Sequence, residues 1–529
     1  MWEGYPIAGL GEGLARSGGI RDDGAMLSEH GEVGSLVRGG ILAAAMMCAL
    51  PGQGARRENH LAGETSPYLR QHRFNPVDWY PWGKEALARA KQLDRPIFLS
   101  IGYSACHWCH VMAEESFSDP EIAKLLNENF VCIKVDREER PDIDEIYMGA
   151  VQVMGVSGGW PLSVWLTPEG EPFYGGTYFP PVDRPGGRPA FRRVCQGMID
   201  AWRERREEVR KGAGEIGAHL RRAFEAEVQP GEPTAELLAG VLPAARARFD
   251  PVYKGFAAPP GYAPKFPGAT ELQALLRLDD ADAHELVFAT LHAMRRGGMH
   301  DQLGGGFHRY STDRRWLVPH FEKMLYDNAL LASCYAEAFV RSGDERFAQV
   351  VRTTLDYLLR EMQGGHGGFF ASQDAQSEGV EGKFFVWRKG EIDELLGPAS
   401  ARTCEVFGVS DAGNFGGANV LSLAKEAPED DAFAAARERL FRARAERVPP
   451  ATDRKVLADW NGLTLVALCD GYRAIGEPRW LAAAQRAAGF LCRELVVDGR
   501  VWHSYLGGSR RVPGLLADHA ALARGLLAV

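Results

Sequence analysis

The stretch SIGYSACHWCHVMAEESF (Ser100–Phe117) sets two cysteines two residues apart, with a histidine on either side of the second. Cysteines so spaced serve as a redox pair, as half a zinc site, or, because C-x-x-C-H is also the c-type haem signature, as a haem attachment point. What flanks them decides. DRPIFLSIG (94–102) is β-rich and runs directly into the pair, and SDPEIAKLLNEN (118–129) opens with cap residues and a first-turn proline, which predicts a helix. FVCIKVD (130–136) alternates like a strand, and PDIDEIYMGAVQVM (141–154) is helical again. LSVWLTPEG (162–170) and EPFYGGTYF (171–179) read as a hairpin. The layout is α/β, with the cysteines where a strand ends and a helix begins.

That placement favours redox chemistry. A helix N-terminus carries unpaired N–H groups and about half a positive charge, which stabilises a thiolate. Cys106 is therefore the expected nucleophile, and Cys109, deeper in the helix, the resolving thiol. A protonated His107 between them would stabilise the Cys106 thiolate and make the disulfide a stronger oxidant. Haem attachment needs export, an apolar pocket and a distal ligand. Zinc needs four ligands, and Cys106, Cys109 and His110 supply at most three. SGGWPLSVWL starts an apolar strand at Pro161, where proline is tolerated. A cis Trp160–Pro161 bond facing the cysteines would leave backbone groups free for an extended polypeptide, so His107, Trp108, Trp160 and Pro161 form the expected tuning and substrate surface.

The chain has 529 residues, enough for two or three domains, and its 45% hydrophobic and 25% charged residues are those of a water-soluble globular protein. A net charge of −9 gives no reason to expect nucleic acid or an anionic membrane as partner. WRERREEVR (202–210) mixes its arginines with glutamates and reads as a solvated helix face. Beyond the pair, most of the nine cysteines sit among apolar residues, unlike a secreted disulfide framework. The expected location is cytoplasmic. GGILAAAMMCALPGQGA (39–55) is too short to span a bilayer, but would act as a signal peptide if translation began at Met26, and export is then the alternative.

The domain reading is a poorly structured leader (1–56), an α/β domain (57–185), a helical linker (186–232) and a helical domain (233–529). Within the last, DNALLASCYAEAFVRSGDERFAQVVRTTLDYLLRE (327–361) superposes without a gap on WNGLTLVALCDGYRAIGEPRWLAAAQRAAGFLCRE (460–494), so that Gly343 meets Gly476 and Phe347 meets Trp480. Each copy reads as an α-hairpin that cannot bury its own apolar face, which implies stacked repeats. LADHAALARGLLAV (516–529) starts a third copy, so the array is expected to be incomplete. The loops of this domain carry His308, Arg309, Tyr310, Trp316, His320, Glu322, Tyr326 and Asp327, and further on Asp374, Trp387, Asp459, Trp460 and Asn461. These residue types bind sugars or move protons, with His320 or Glu322 as acid or base. They also cap helices and join loops in repeat proteins. Helical spacing would pair Glu322 with Tyr326, and Lys323 with Asp327 as an ion pair.

The segments PIFLSIGYSACHWCHVMAEESF, FVCIKVDREERPDIDEIYM, GGWPLSVWLTPEGEPFYGGTYFPP, GGGFHRYSTDRRWLVPHFEKMLYDNALL, GGFFASQDAQSEGVEGKFFVW and DRKVLADWNGL resemble the spermatogenesis-associated protein 20-like family, also called the DsbH-type thioredoxin-domain family, from Asn59 to Val529. The resemblance implies a thioredoxin-like domain followed by an (α/α)6 toroid of the six-hairpin glycosidase type, similar to those of N-acylglucosamine 2-epimerases. Thiol–disulfide exchange without a cofactor or metal follows, acting on a protein thiol or disulfide client or a small thiol, with a sugar-like ligand for the toroid. A carbohydrate isomerase or hydrolase with an accessory thioredoxin domain is one alternative; a redox-sensing interaction scaffold is the other. Two departures stand out. Ser100 occupies the place of the buried aspartate that thioredoxins carry before the first cysteine, so a nearby Glu, His or water would have to accept the resolving thiol's proton. Gln376 stands where the family commonly has aspartate.

Overall fold

The computed structural model describes residues 57–183, 187–225, 231 and 238–529; the leader and the signal-peptide reading lie outside them. Five strands, β1 (Trp79–Pro81), β2 (Ile97–Gly102), β3 (Val131–Asp136), β4 (Leu162–Leu166) and β5 (Pro172–Gly176), form one sheet in the order β1-β3-β2-β4-β5. β1 and β2 run parallel to β3, while β4 is antiparallel to β2 and β5. Every residue of β2, β3 and β4 is buried, because helices cover both faces. Alternation sorts them. Ile97, Leu99 and Ile101 share one core with Ala86, Ala90, Ile143 and Tyr147, whereas Phe98, Cys132 and Trp165 share the other with Phe117, Leu126 and Phe191.

The segment expected to be a linker is part of this second core. The Phe191–Glu204 helix inserts Phe191, Val194, Cys195, Met198 and Trp202 against the sheet, and a break at Arg205 starts the Arg206–Phe224 helix. Its apolar stripe is wide enough to need covering, and the sheet supplies the cover.

The remaining chain is a helical toroid. The helices Ala269–Leu276, Leu325–Ser342, Ala458–Ile475 and Leu516–Ala528 lie side by side in that order. Ala281–Arg296, Glu345–Tyr357 and Pro478–Glu494 each pack on the helix that precedes them. The two repeat copies are the hairpins Leu325–Tyr357 and Ala458–Glu494, and Gly343 and Gly476 end their first helices in the left-handed conformation that glycine adopts at low cost. Asn328 and Asn461, equivalent under the repeat, do the same work. Each accepts from one backbone N–H (Phe307, Phe369) and donates to two carbonyls (Phe307 and Met324, Phe369 and Leu457), pinning a loop to the start of its helix. Of the described cysteines outside the pair, Cys492 alone is exposed. Among the described residues no helix is long and apolar enough to cross a membrane.

A buried polar junction joins the two parts. Lys455 of the toroid reaches Asp136 and Glu138, each at 2.7 Å, and Asp453 at 3.1 Å. His503 bridges Asp518 and the Glu138 carbonyl at 2.8 and 2.7 Å. Both nitrogens of His503 are thereby committed, although Asp459, His503 and Asp518 place potential metal-binding atoms within 4.8 Å of one another.

Candidate functional site

Cys106 is the N-cap of the His107–Met112 helix, at the end of the turn that leaves β2, and accepts from the Cys109 N–H at 3.2 Å. The two sulfurs are bonded, with Cα atoms 5.2 Å apart. The Trp160–Pro161 bond is cis. Each cysteine is only 2% exposed. Both belong to the core of the first domain, and loops of the toroid grip the short helix and the turn before it.

Three contacts make that grip. The Tyr103 hydroxyl donates to Glu322 Oε1 at 2.9 Å and also meets Arg309, which itself binds Glu322 at 2.8 Å. His110 Nε2 lies 2.8 Å from Asp374 Oδ2. His107 Nε2 lies 3.5 Å from Glu381 Oε2, and Glu381 also binds His320, whose Nε2 is 3.9 Å from Glu322. Positive and negative groups thus alternate from Arg309 through Glu322 and His320 to Glu381, which faces His107 beside the disulfide.

Burial and partners set the protonation of these groups in different directions. Burial pushes the His107 pKa down, against the pull of Glu381, so His107 is neutral near pH 7 and is not the cationic tuner its position suggests. Burial also opposes charge on His110, but the bond to Asp374 outweighs it and raises its pKa. His320 behaves likewise, burial being outweighed by Glu322 and Glu381. Burial and Glu322 push the Asp327 carboxyl up to about 7, despite Arg309. Burial raises Tyr310 to about 12.

Not all the expected residues converge here. Arg309, Tyr310, His320, Glu322 and Asp374 do, and Tyr326 and Trp460 meet edge to face, with centroids 4.8 Å apart, against the core that holds the cysteines. Trp160 donates to Asp144 at 2.8 Å and stacks under the Arg137 guanidinium at 4.0 Å, while Trp108 is exposed. Trp316 is fully buried with its indole N–H on the Lys254 carbonyl, and Trp387 lies under Arg447, so neither is a platform. His308 is buried with Nδ1 on the Phe321 carbonyl, and Asn461 is a loop pin. Asp459 sits by Trp460 and Asp518, pushed up to about 6 by burial.

Two expected pairings fail for one reason. The helix starts only at Leu325, after the two-residue strand Lys323–Met324, so helical spacing does not apply to Glu322 or Lys323. Lys323 instead binds Asp301 at 2.8 Å, and Asp327 is not its partner. Tyr103, His110 as an acid–base group and Glu381 were missed. Only their nearness to the cysteine pair, or to His320 in the fold, singles them out.

Residues 58–221 match the Thioredox_DsbH family model, described as "Protein of unknown function, DUF255". The chain is 40% identical over 531 residues to spermatogenesis-associated protein 20 of Mus musculus, covering 89% of this chain and 66% of that protein. To the Homo sapiens protein of the same name it is 39% identical over 531 residues, covering 89% and 67%. It thus spans about two thirds of the length of these relatives. Among solved structures it is similar to a glycoside hydrolase family 76 mannosidase of Bacteroides thetaiotaomicron, at 11% identity and a TM-score of 0.34 over 55% of this chain and 64% of that one. With a thioredoxin-like domain, a helical toroid and this extent of identity, the chain belongs to the spermatogenesis-associated protein 20 family.

Proposed function

We propose that the protein performs thiol–disulfide exchange at Cys106 and Cys109, on a small thiol or disulfide and not on a folded protein client. The observation that carries this reading is the burial of both sulfurs, 2% exposed, under toroid loops held by Glu322, Asp374 and Glu381. In the oxidising half-cycle on a substrate R–S–S–R, the Cys106 thiolate attacks one sulfur and expels RS⁻. The Cys109 thiolate then attacks Cys106 Sγ and expels the second RS⁻, leaving the protein oxidised and two RS⁻ reduced. Run backwards, the same steps oxidise a thiol. His110, one residue beyond Cys109, has its pKa raised by Asp374 against burial, and in its protonated form it adds positive charge that favours a thiolate.

The test is a redox equilibrium in graded glutathione buffers, with free thiols trapped by alkylation and located by mass spectrometry. Cys106 and Cys109 should interconvert as a pair while Cys132, Cys195, Cys334, Cys404 and Cys469 stay reduced. A pair that never changes state would sink the proposal. A folded protein disulfide reduced as fast as a small aromatic one would sink the choice of substrate.

A second reading has one observation in its favour. Glu322 Oε2 and Asp327 Oδ2 are buried without hydrogen-bond partners, and Asp327 is held near pH 7, where a carboxylic acid can both give and take a proton. That suits acid–base work on a polar ligand such as a sugar at the toroid mouth. Calorimetry with hexoses and amino sugars tests it: binding abolished in Asp327→Asn supports it, and no binding to the intact protein ends it.

A further inference from the structure

The strand face behind the disulfide holds a charge with no counter-charge. Lys134, on β3, is 1% exposed, and its ammonium nitrogen donates to Ser100 Oγ, its register neighbour on β2, at 3.0 Å. Its other surroundings are the rings of Phe117, Trp79 and Tyr68, at 4.4, 4.9 and 5.1 Å. Tyr68 and His72 are the titratable groups that face it. Cys132 and Asp136 precede and follow it on the same strand face, and Asp136 is already bound by Ser66 at 2.6 Å and by Lys455. Among the described residues no carboxylate pairs with Lys134. A buried, unpaired ammonium is costly, and burial pushes the Lys134 pKa well below its usual value, which favours the neutral amine and its free lone pair.

A line of hydroxyls leads from that amine to the resolving cysteine. Tyr68 lies beside Ser100 on one side, near enough to bond to it once its hydroxyl turns. On the other, the Tyr68 hydroxyl and Cys109 Sγ share the space in front of Gly102, where a side chain would strike both. The Tyr68 hydroxyl is buried and makes no well-formed hydrogen bond while the disulfide is closed. A buried hydroxyl left without a partner calls for an explanation. Opening the disulfide provides one, because Cys109 then gains an S–H that can donate to it.

We propose that Lys134 is the proton acceptor for Cys109, taking the proton through Tyr68 and Ser100, in the place where Ser100 has replaced the usual carboxylate. The inference rests on the exchange reading above. In the resolving step the Cys109 S–H proton passes to the Tyr68 oxygen, the Tyr68 proton to Ser100, and the Ser100 proton to the Lys134 amine, which becomes an ammonium. The freed Cys109 thiolate attacks Cys106 Sγ, the S–S bond to the substrate sulfur breaks, and that sulfur leaves with the electron pair. The ammonium so formed is disfavoured by its surroundings and returns its proton by the same route or to the leaving thiolate.

The experiment mixes the reduced protein with 2,2′-dithiodipyridine and follows thiopyridone by stopped flow. Attack by Cys106 releases the first equivalent and attack by Cys109 the second. Lys134→Met, a nearly isosteric change that removes the amine, should leave the first phase unchanged, slow the second at least tenfold and abolish its pH dependence below neutrality. Lys134→Arg, which cannot give up its proton, should be as slow in the second phase, and Tyr68→Phe and Ser100→Ala should slow that phase too. A second phase unaltered in rate and pH profile in Lys134→Met, or both phases slowed equally, overturns the relay. Absence of the first phase in the unaltered protein overturns the exchange reading itself.

Discussion

His110 and His107 are three residues apart on one short helix, yet their environments move their pKa values in opposite directions. For His110, burial alone would lower the pKa, and the Asp374 carboxylate reverses the sign. Since its folded pKa is raised, its contribution to stability is complete below the ordinary imidazole value of about 6.5 and is lost as pH rises through the folded value. Asp374→Asn should therefore lower the His110 pKa below about 6.5, read by NMR titration of the ring, and destabilise the protein by about 1–3 kcal/mol below pH 6 but by much less at pH 9. An unmoved His110 pKa would show that Asp374 is not its governing partner. Asp327 runs on the same logic with a different window. Its carboxyl is raised to about 7, so the folded state holds a proton that the unfolded chain has released, and stability declines from about pH 4 to pH 7. Asp327→Asn, which keeps the shape without the titration, should raise the melting temperature at pH 8, by the equivalent of about 1–3 kcal/mol, and leave it unchanged at pH 4.

At the scale of elements, the repeat makes a paired prediction. Asn328 and Asn461 are fully or almost fully buried, and each makes three hydrogen bonds to backbone that has few other partners. Alanine at either position leaves the buried N–H and carbonyl of Phe307 or Phe369 without this partner, which costs about 2–4 kcal/mol. Urea unfolding of Asn328→Ala and Asn461→Ala should give similar losses; a much smaller loss at one of them would show that its loop is held by something else. The repeat that predicts this equivalence was readable from the sequence, because helical periodicity and the glycine caps are local signals. The strands of the first domain were readable for the same reason, in the alternation through FVCIKVD and the apolar run of PIFLSIG. What was not readable depended on where helices begin and which loops meet. Glu322 and Lys323 look helical by spacing, but extended backbone at Lys323–Met324 turns Lys323 toward Asp301. Phe191–Glu204 looks like a tether because no local signal reveals the sheet face it covers. Glu381 and Tyr103 carry no motif of their own, and the contacts by which they tie the two domains together cross more than 200 residues of chain.

Those long-range contacts make the molecule one device. The toroid holds the thioredoxin-like domain at two places: the site beside the disulfide and the Lys455 junction. At the junction one ammonium faces Asp136, Glu138 and Asp453, with Glu139 close by. Burial, offset in part by Lys455, raises Glu138 and Glu139 to about 7. Both raised values mean that the junction is tightest when these groups keep their protons, weakens as pH rises from the ordinary carboxylate range to about 7, and changes little above it. Removing the cation leaves carboxylates buried together without compensation, a change that costs about 3–5 kcal/mol. Lys455→Met should thus loosen the domains from each other before either unfolds. The readout is alkylation of the reduced protein. In the unaltered chain a bulky polymer-linked maleimide should label Cys492 quickly and Cys106 slowly, because Cys106 lies under the toroid and Cys492 does not. In Lys455→Met the Cys106 rate should rise at least tenfold while the Cys492 rate stays fixed, and in the unaltered protein the Cys106 rate should climb between about pH 5 and pH 7 more steeply than thiol ionisation alone requires. Equal Cys106 rates in both proteins would mean that the junction does not control access. The small-substrate reading would then have to rest on the grip of Glu322, Asp374 and Glu381 alone.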